Sequence, residues 1–265
     1  MKVLMEKQDN VCTIIINRPE RRNAVDRETA EQFVKCFDDF ENDDTLLAAV
    51  LWGAGGNFCA GADLKAVSGI NENKANNLNV DMSKPGPMGP SRMKTSKPVI
   101  AAVSGYAVAG GLELACWCDL RVAERDAVFG VFCRRFGVPL IDGGTQRLPR
   151  LIGMSRALDM IITGRAVSAE EAHAMGLANR VVERGKGRSE AEALAAQIAA
   201  FPQSCMRSDR EAVYRGFDLP IDDAMALEFR LGMDVIAGGE TLAGAKSFAS
   251  GLGKHGRFGE KSEGN

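Results

Sequence analysis

Histidine is scarce in this 265-residue chain: there are two, His173 and His255, far apart in sequence. That scarcity argues against a zinc site, which draws on clustered histidine and cysteine. An excess of positive charge is also missing. The net charge is −2, so nothing predicts a nucleic-acid surface. No apolar run is long enough to span a bilayer, and no membrane partner is expected. The opening stretch "MKVLMEKQDN" lacks the apolar segment and small-residue cleavage site of a signal peptide, so a cytoplasmic location is expected. A C-x-x-C pair is absent. The seven cysteines, Cys12, Cys36, Cys59, Cys116, Cys118, Cys133 and Cys205, are scattered, mostly through apolar segments. Their odd number argues against a disulfide framework and for small buried hydrophobes in a reducing compartment. No internal repeat occurs.

What is present is an ordinary globular composition, 45% hydrophobic and 26% charged, with length enough for a sizeable core. "KVLMEK" and "VCTIIINR" are β-rich runs joined by Asp9-Asn10, which predicts a hairpin. Asp26 precedes a helical pattern with Phe33, Val34, Phe37 and Phe40 on one face. "LLAAVLWG" and "PVIAAVSG" are short continuous apolar runs, the pattern of buried strands. Between them, residues 68–97 are polar and rich in Asn, Pro and Gly, an irregular or mobile loop. Ser168 with Glu171, and Ser189 with Glu192, fit capping boxes, and Gly176 fits a helix stop. No convincing strand follows about Gln203. These signals predict an α/β core over residues 1–202 and a small helical region over 203–265.

The stretch "VSGYAVAGGLELACWCDL" sets three glycines just ahead of one acid, Glu113, among apolar residues. A Walker loop fails here because Gly111 and Leu112 stand where Lys and Ser/Thr are required. A dinucleotide fingerprint fails at "GAGGNF", where Phe58 takes the third glycine position. Gly110 and Gly111 lie between a buried strand and a helix start, where free N–H groups and the helix dipole favour negative charge. "FCAGADL" places Ala60, Gly61 and Ala62 after another strand. Two such turns can aim two N–H groups at one oxygen, an arrangement worth about 3–4 kcal/mol per donor. Glu113 falls in the first helical turn, where the dipole favours the carboxylate while burial opposes it. It either caps its helix or moves protons.

"NRPERRNAV", "GAGGNFCAGADL", "KPVIAAVSGYAVAGGLELACWCDLRVA" and "GGTQRLPRLIG" together resemble the crotonase (enoyl-CoA hydratase/isomerase) superfamily, in order from about Val11 to Val182. The resemblance implies a spiral of ββα turns and a helical C-terminal region that drives assembly into a homotrimer or a dimer of trimers. It implies an acyl-CoA substrate and no cofactor beyond the coenzyme A that the substrate carries. By position, the backbone N–H groups of Ala62 and Gly110 would hold the thioester carbonyl. Asp63, Leu64 and Lys65 would line the CoA site with Ala62 and Gly110, and Glu113 would be the first catalytic glutamate. Arg22 lies in a segment that touches CoA in relatives, although a solvated charge is its plain alternative. Lys254 is a CoA candidate through the C-terminal end of a neighbouring subunit. His173 reads as a surface helix residue.

The chain departs from this pattern at one place. Hydratases of the family usually carry a second glutamate in a segment resembling "FGxPExxxGxxPGAGGTQ"; this chain reads "FGVFCRRFGVPLIDGGTQ", with Cys133 at the glutamate position. Cys133 is a small residue, a nucleophile without a histidine nearby in sequence, or a means of making room for a bulkier acyl group. Asp142 replaces a small residue and stands either as a substitute acid or as an ion-pair partner of Arg134 or Arg135. The expected reaction is hydration of an enoyl-CoA. Isomerisation, dehydration or thioester hydrolysis on the same site, or acyl-CoA binding without turnover, are the alternatives.

Overall fold

Asp9 adopts a left-handed backbone (φ 50°), and the chain folds back there as the turn signal predicts. Strand β1 (Val3–Gln8) pairs antiparallel with β2 (Val11–Ile16). The computed structural model describes residues 1–69 and 74–253; Lys254, His255 and Phe258 lie outside the described residues. Every residue of β2 is buried. Helix α1 (Arg27–Glu41) starts where Asp26 accepts a hydrogen bond from the Thr29 N–H. Its Phe33, Phe37 and Phe40 are buried at helical spacing, while Val34 is half-buried. Burying each such ring stabilises the fold by about 1.5–3 kcal/mol.

The chain continues through β3 (Ala48–Gly53), the short α2 (Leu64–Val67), β4 (Val99–Val103), β5 (Tyr106–Val108), α3 (Gly110–Trp117), β6 (Leu120–Glu124) and β7 (Val128–Gly130). Beyond these come α4 (Gly144–Ile152), α5 (Met154–Thr163), β8 (Ala166–Ser168), α6 (Ala169–Ala174), β9 (Arg180–Val182) and α7 (Gly187–Ala199). The large sheet has the order β1-β2-β3-β4-β6-β9 and is parallel from β2 onward. The small sheet has the order β5-β7-β8. Successive passes place β4 and then β6 in the large sheet, and β5 and then β7 in the small one. This stepping is the α/β spiral of ββα turns that the resemblance implies.

The two capping boxes fare differently. Ser168 accepts from the Glu171 N–H, but the Glu171 carboxylate pairs with Arg165 rather than returning to the cap. The second box does not form. Helix α7 begins at Gly187, the Ser189 hydroxyl donates to the Lys186 carbonyl, and Glu192 bonds Arg188 and Thr13. Arg165 draws Glu171 away from the first cap, and Ser189 cannot cap α7 because the helix already begins two residues before it.

Two compact units are present, one spanning Met1–Ile198 and one beginning at Ala199; the sequence signals place the change at 202/203. The described part of the second unit consists of α8 (Gln203–Gly216), α9 (Ile221–Ala237) and α10 (Glu240–Ala249). Among the described residues, no helix is long and apolar enough to cross a membrane.

Candidate active site

The spiral brings two distant turns to one place. Cys59 forms a parallel bridge with Ala107 in β5, bonded by Cys59 N–H to the Tyr106 carbonyl (2.9 Å) and Val108 N–H to the Cys59 carbonyl (3.0 Å). Ala62 and Gly110 each lie three residues beyond this register point. Gly61 has φ +92°, and a Cβ there would stand 2.9 Å from the Gly110 nitrogen. Only a glycine permits that backbone conformation and that approach without strain. Ala109, just before α3, has φ 55° and ψ −126°, an unusual conformation for a non-glycine residue. Among the described residues, neither the Ala62 nor the Gly110 N–H is taken by a protein acceptor.

Glu113 lies one helical turn into α3 and is 2% exposed. Its Oε1 accepts from the Gly144 N–H (2.8 Å) and the Asp142 N–H (2.9 Å). A side chain at 144 would run into Glu113, since a Cβ would fall 2.8 Å from the Glu113 Cγ. Burial pushes the Glu113 carboxyl up to about 7. The Gly144 and Asp142 N–H groups and the Arg147 charge oppose the rise, and the Asp142 charge adds to it. The other end of α3 is held by buried Arg121, which donates to the carbonyls of Cys118 (2.8 Å) and Leu177 (2.6 Å). A cation is favoured at a helix C-terminus.

Cys133 is buried in the short helical turn after β7. Burial and the Glu113 charge both push its thiol upward, opposite to what a thiolate nucleophile needs. Asp142 is brought beside Glu113 by the turn before α4. Arg134 and Arg135 instead spend their donors on the carbonyls of Ile161 and Gly164. The cations whose charge acts on Asp142 are Arg92 and Arg147, and the alternative of an ion pair with Arg134 or Arg135 is not formed among the described residues. Arg147 is held by Asp142 and Ser91 carbonyls.

Asp63 caps α2 by accepting from the Lys65 N–H. It also bonds Arg18 (3.0 Å), a buried side chain that further contacts Asp26 (3.2 Å) and the Ala24 carbonyl. Leu64 and Lys65 are exposed on α2. Lys65 borders a polar cavity with Lys2, Arg18, Arg21 and Lys74. Arg22 is exposed, with its guanidinium 5.7 Å from the Tyr106 ring centre, and its carbonyl accepts from the Ala60 N–H. His173 sits on α6 with Nδ1 at 3.0 Å from the Ala178 carbonyl. Among the described residues, no cluster of His, Cys, Asp or Glu is arranged to hold a metal ion.

Residue-level reading missed three contributors. Met88 is buried with its sulfur against Gly110. Ser91 and Arg147 join the loop carrying Met88 to the turn carrying Asp142. The one available signal was a lone large apolar residue in "PGPMGP".

A two-layered spiral with a buried acid beside two open N–H groups defines an α/β enzyme class, and comparison with known proteins specifies it. A sequence profile described as enoyl-CoA hydratase/isomerase matches residues 6–253; the chain belongs to that family. It is 36% identical over 231 residues to the short-chain-enoyl-CoA hydratase of Clostridium acetobutylicum, covering 85% of this chain and 86% of that one. It is 36% identical over 223 residues to the (E)-benzylidenesuccinyl-CoA hydratase of Thauera aromatica, covering 84% and 86%. The crystal structure of an enoyl-CoA hydratase from Mycobacterium tuberculosis H37Rv superposes with a TM-score of 0.86 at 35% identity, covering 94% and 95%.

Proposed function

We propose that this protein is an enoyl-CoA hydratase that adds water across the 2,3 double bond of an acyl-CoA thioester, with Glu113 as its single proton-transferring acid. The observation carrying this reading is the buried Glu113 carboxyl, on the helix that begins at Gly110 and held by the Asp142 and Gly144 N–H groups, with burial pushing its pKa up to about 7. The thioester oxygen is held by the Ala62 and Gly110 N–H groups, an oxyanion hole that strengthens its grip as negative charge develops. Water attacks C3 as Glu113 takes its proton, and the carbonyl π system becomes an enolate. Glu113 then returns the proton to C2. A pKa near the working pH suits a group that must both accept and donate. Coenzyme A enters as part of the substrate, with Asp63, Leu64, Lys65 and Arg22 on its path, and no separate cofactor takes part.

Isomerisation is the second reading, supported by the absence of a carboxylate at Cys133. Moving a double bond needs the same hole and one acid that shuttles a proton. A screen of enoyl-CoA esters separates the two by mass: hydration adds one water, and isomerisation leaves the mass unchanged. Glu113→Gln is expected to lower turnover by about two to four orders of magnitude while retaining CoA-ester binding. Full activity in that variant removes Glu113 from the chemistry. Binding of every ester with no turnover by the wild type makes the protein a carrier.

The enzyme acts in the cytoplasm as a homotrimer or a dimer of trimers, with residues 203–265 as the assembly region. The support is an uncovered apolar face on α9, where Phe229 is 70% and Met233 44% exposed.

A further inference from the structure

The turn that aims Glu113 is itself tied to a neighbouring loop, chiefly through the Asp142 side chain. Glu113 Oε1 takes both of its hydrogen bonds from the backbone of Asp142 and Gly144, so the direction of the carboxyl follows the position of residues 142–144. Asp142 Oδ1 accepts from the Met88 N–H (2.9 Å) and from the Ser91 hydroxyl. Both donors belong to a loop that closes on itself through paired bonds between Gly86 and Gly89. The corner is tight: a Cβ at Gly86 would fall 2.9 Å from Asp142 Oδ1. A second tie runs alongside, with Arg147 donating to the Asp142 carbonyl (2.9 Å) and the Ser91 carbonyl (2.8 Å). The same loop carries Met88, whose sulfur lies against Gly110. One carboxylate thus joins the Glu113 turn to the wall of the proposed hole.

We propose that Asp142 is a positioning residue, locking residues 142–144 to residues 86–91 so that Glu113 is aimed, and that it transfers no proton itself. The inference rests on Glu113 being the acid–base group. Two donors already converge on Oδ1, and one of them, the Met88 N–H, can only donate and so demands an acceptor there. Oδ2 takes no hydrogen bond among the described residues. An asparagine with its amide oxygen at the Oδ1 position therefore retains the lock, whereas it cannot act as an acid or a base.

The test uses crotonyl-CoA as the probe and measures kcat and KM across the pH range around neutrality. Asp142→Asn is expected to recover most of the rate, within about fivefold of wild type, since both loop bonds persist. Asp142→Ala is expected to lose about 10²-fold in kcat with KM changed by less than about threefold, the cost of a misaimed group. Ser91→Ala, which removes one donor to the same oxygen, is expected to move kcat the same way by a smaller factor. The groups that face Glu113 are Asp142 and Arg147, with Cys133 and Cys116 nearby. Neutralising Asp142 removes a charge that raises the Glu113 pKa, so the limb of the pH profile set by Glu113 shifts to lower pH in Asp142→Asn.

Equal loss in Asp142→Asn and Asp142→Ala would overturn the proposal and make Asp142 a proton carrier. A wild-type rate in Asp142→Ala would also overturn it. Should Asp142→Ala fail to fold, retention in Asp142→Asn with loss in Ser91→Ala supports the lock, and the reverse order refutes it. An unimpaired Glu113→Gln instead sinks the underlying reading, whatever Asp142 does.

Discussion

Glu113 is buried where its ionised form works against stability. Its folded affinity, about 7 against an ordinary 4.5, means the folded protein keeps a proton that the unfolded chain releases. Between those two values the unfolded state binds fewer protons, so stability falls as pH rises, by about 1.4 kcal/mol per unit. The loss is absent below about 4.5 and complete above about 7, on the order of 3 kcal/mol in all. Glu113→Gln carries no charge at any pH and keeps an oxygen for the Asp142 and Gly144 N–H groups. Its thermal unfolding midpoint is therefore expected to match wild type near pH 5 and to exceed it near pH 8. A variant less stable than wild type at pH 8 would contradict the origin assigned to the shift. The same residue would then lower activity when removed and raise stability, a trade expected where a site stores unfavourable electrostatics.

The element that creates the proposed hole is the pair of turns after Cys59 and after β5, and its tightest point is Gly61. Gly61→Ala forces a side chain onto a backbone at φ +92° and places Cβ 2.9 Å from the Gly110 nitrogen. The expected result is a fall in kcat/KM of about 10²–10³, the value of one displaced donor. A destabilisation of about 1–3 kcal/mol should accompany it. An unchanged rate would show that the Ala62 and Gly110 N–H groups do not act together. These turns were legible in the sequence because their signals are local: small residues follow apolar runs, and an acid sits in the first turn of the helix. The hairpin at Asp9-Asn10 and the α1 cap at Asp26 were legible for the same reason. The Ser189 box was not, because α7 begins at Gly187, before Ser189, and Glu192 accepts from Thr13, 179 residues away. Nor was the lock at Asp142, whose partners Met88 and Ser91 lie 54 and 51 residues off. A side chain with several possible partners is decided by which of them the fold delivers, and no local pattern records that.

At the scale of the whole molecule, the described helices of the second unit leave large side chains in water. On α9 only Leu227 is fully buried, while Ala226, Phe229 and Met233, spaced three and four residues apart, are exposed. A repeating apolar stripe at that spacing is the mark of a helix face made for covering, and a patch of this kind left open marks an interaction surface. In the proposed trimer a second and third copy of the same chain would supply matching stripes, and closed symmetry would let each copy cover and be covered. Light scattering at micromolar concentration is therefore expected to give three times the 28.4 kDa of one chain, or twice that again for a dimer of trimers. Phe229→Asp sets a charge in the middle of the stripe. It should shift the population to single chains, since an unpaired charge in an apolar interface costs several kcal/mol. The circular dichroism of that variant should keep its helical content, because Phe229 is 70% exposed. A wild-type protein that scatters as a stable monomer would refute the assembly and leave the exposed stripe to a different partner.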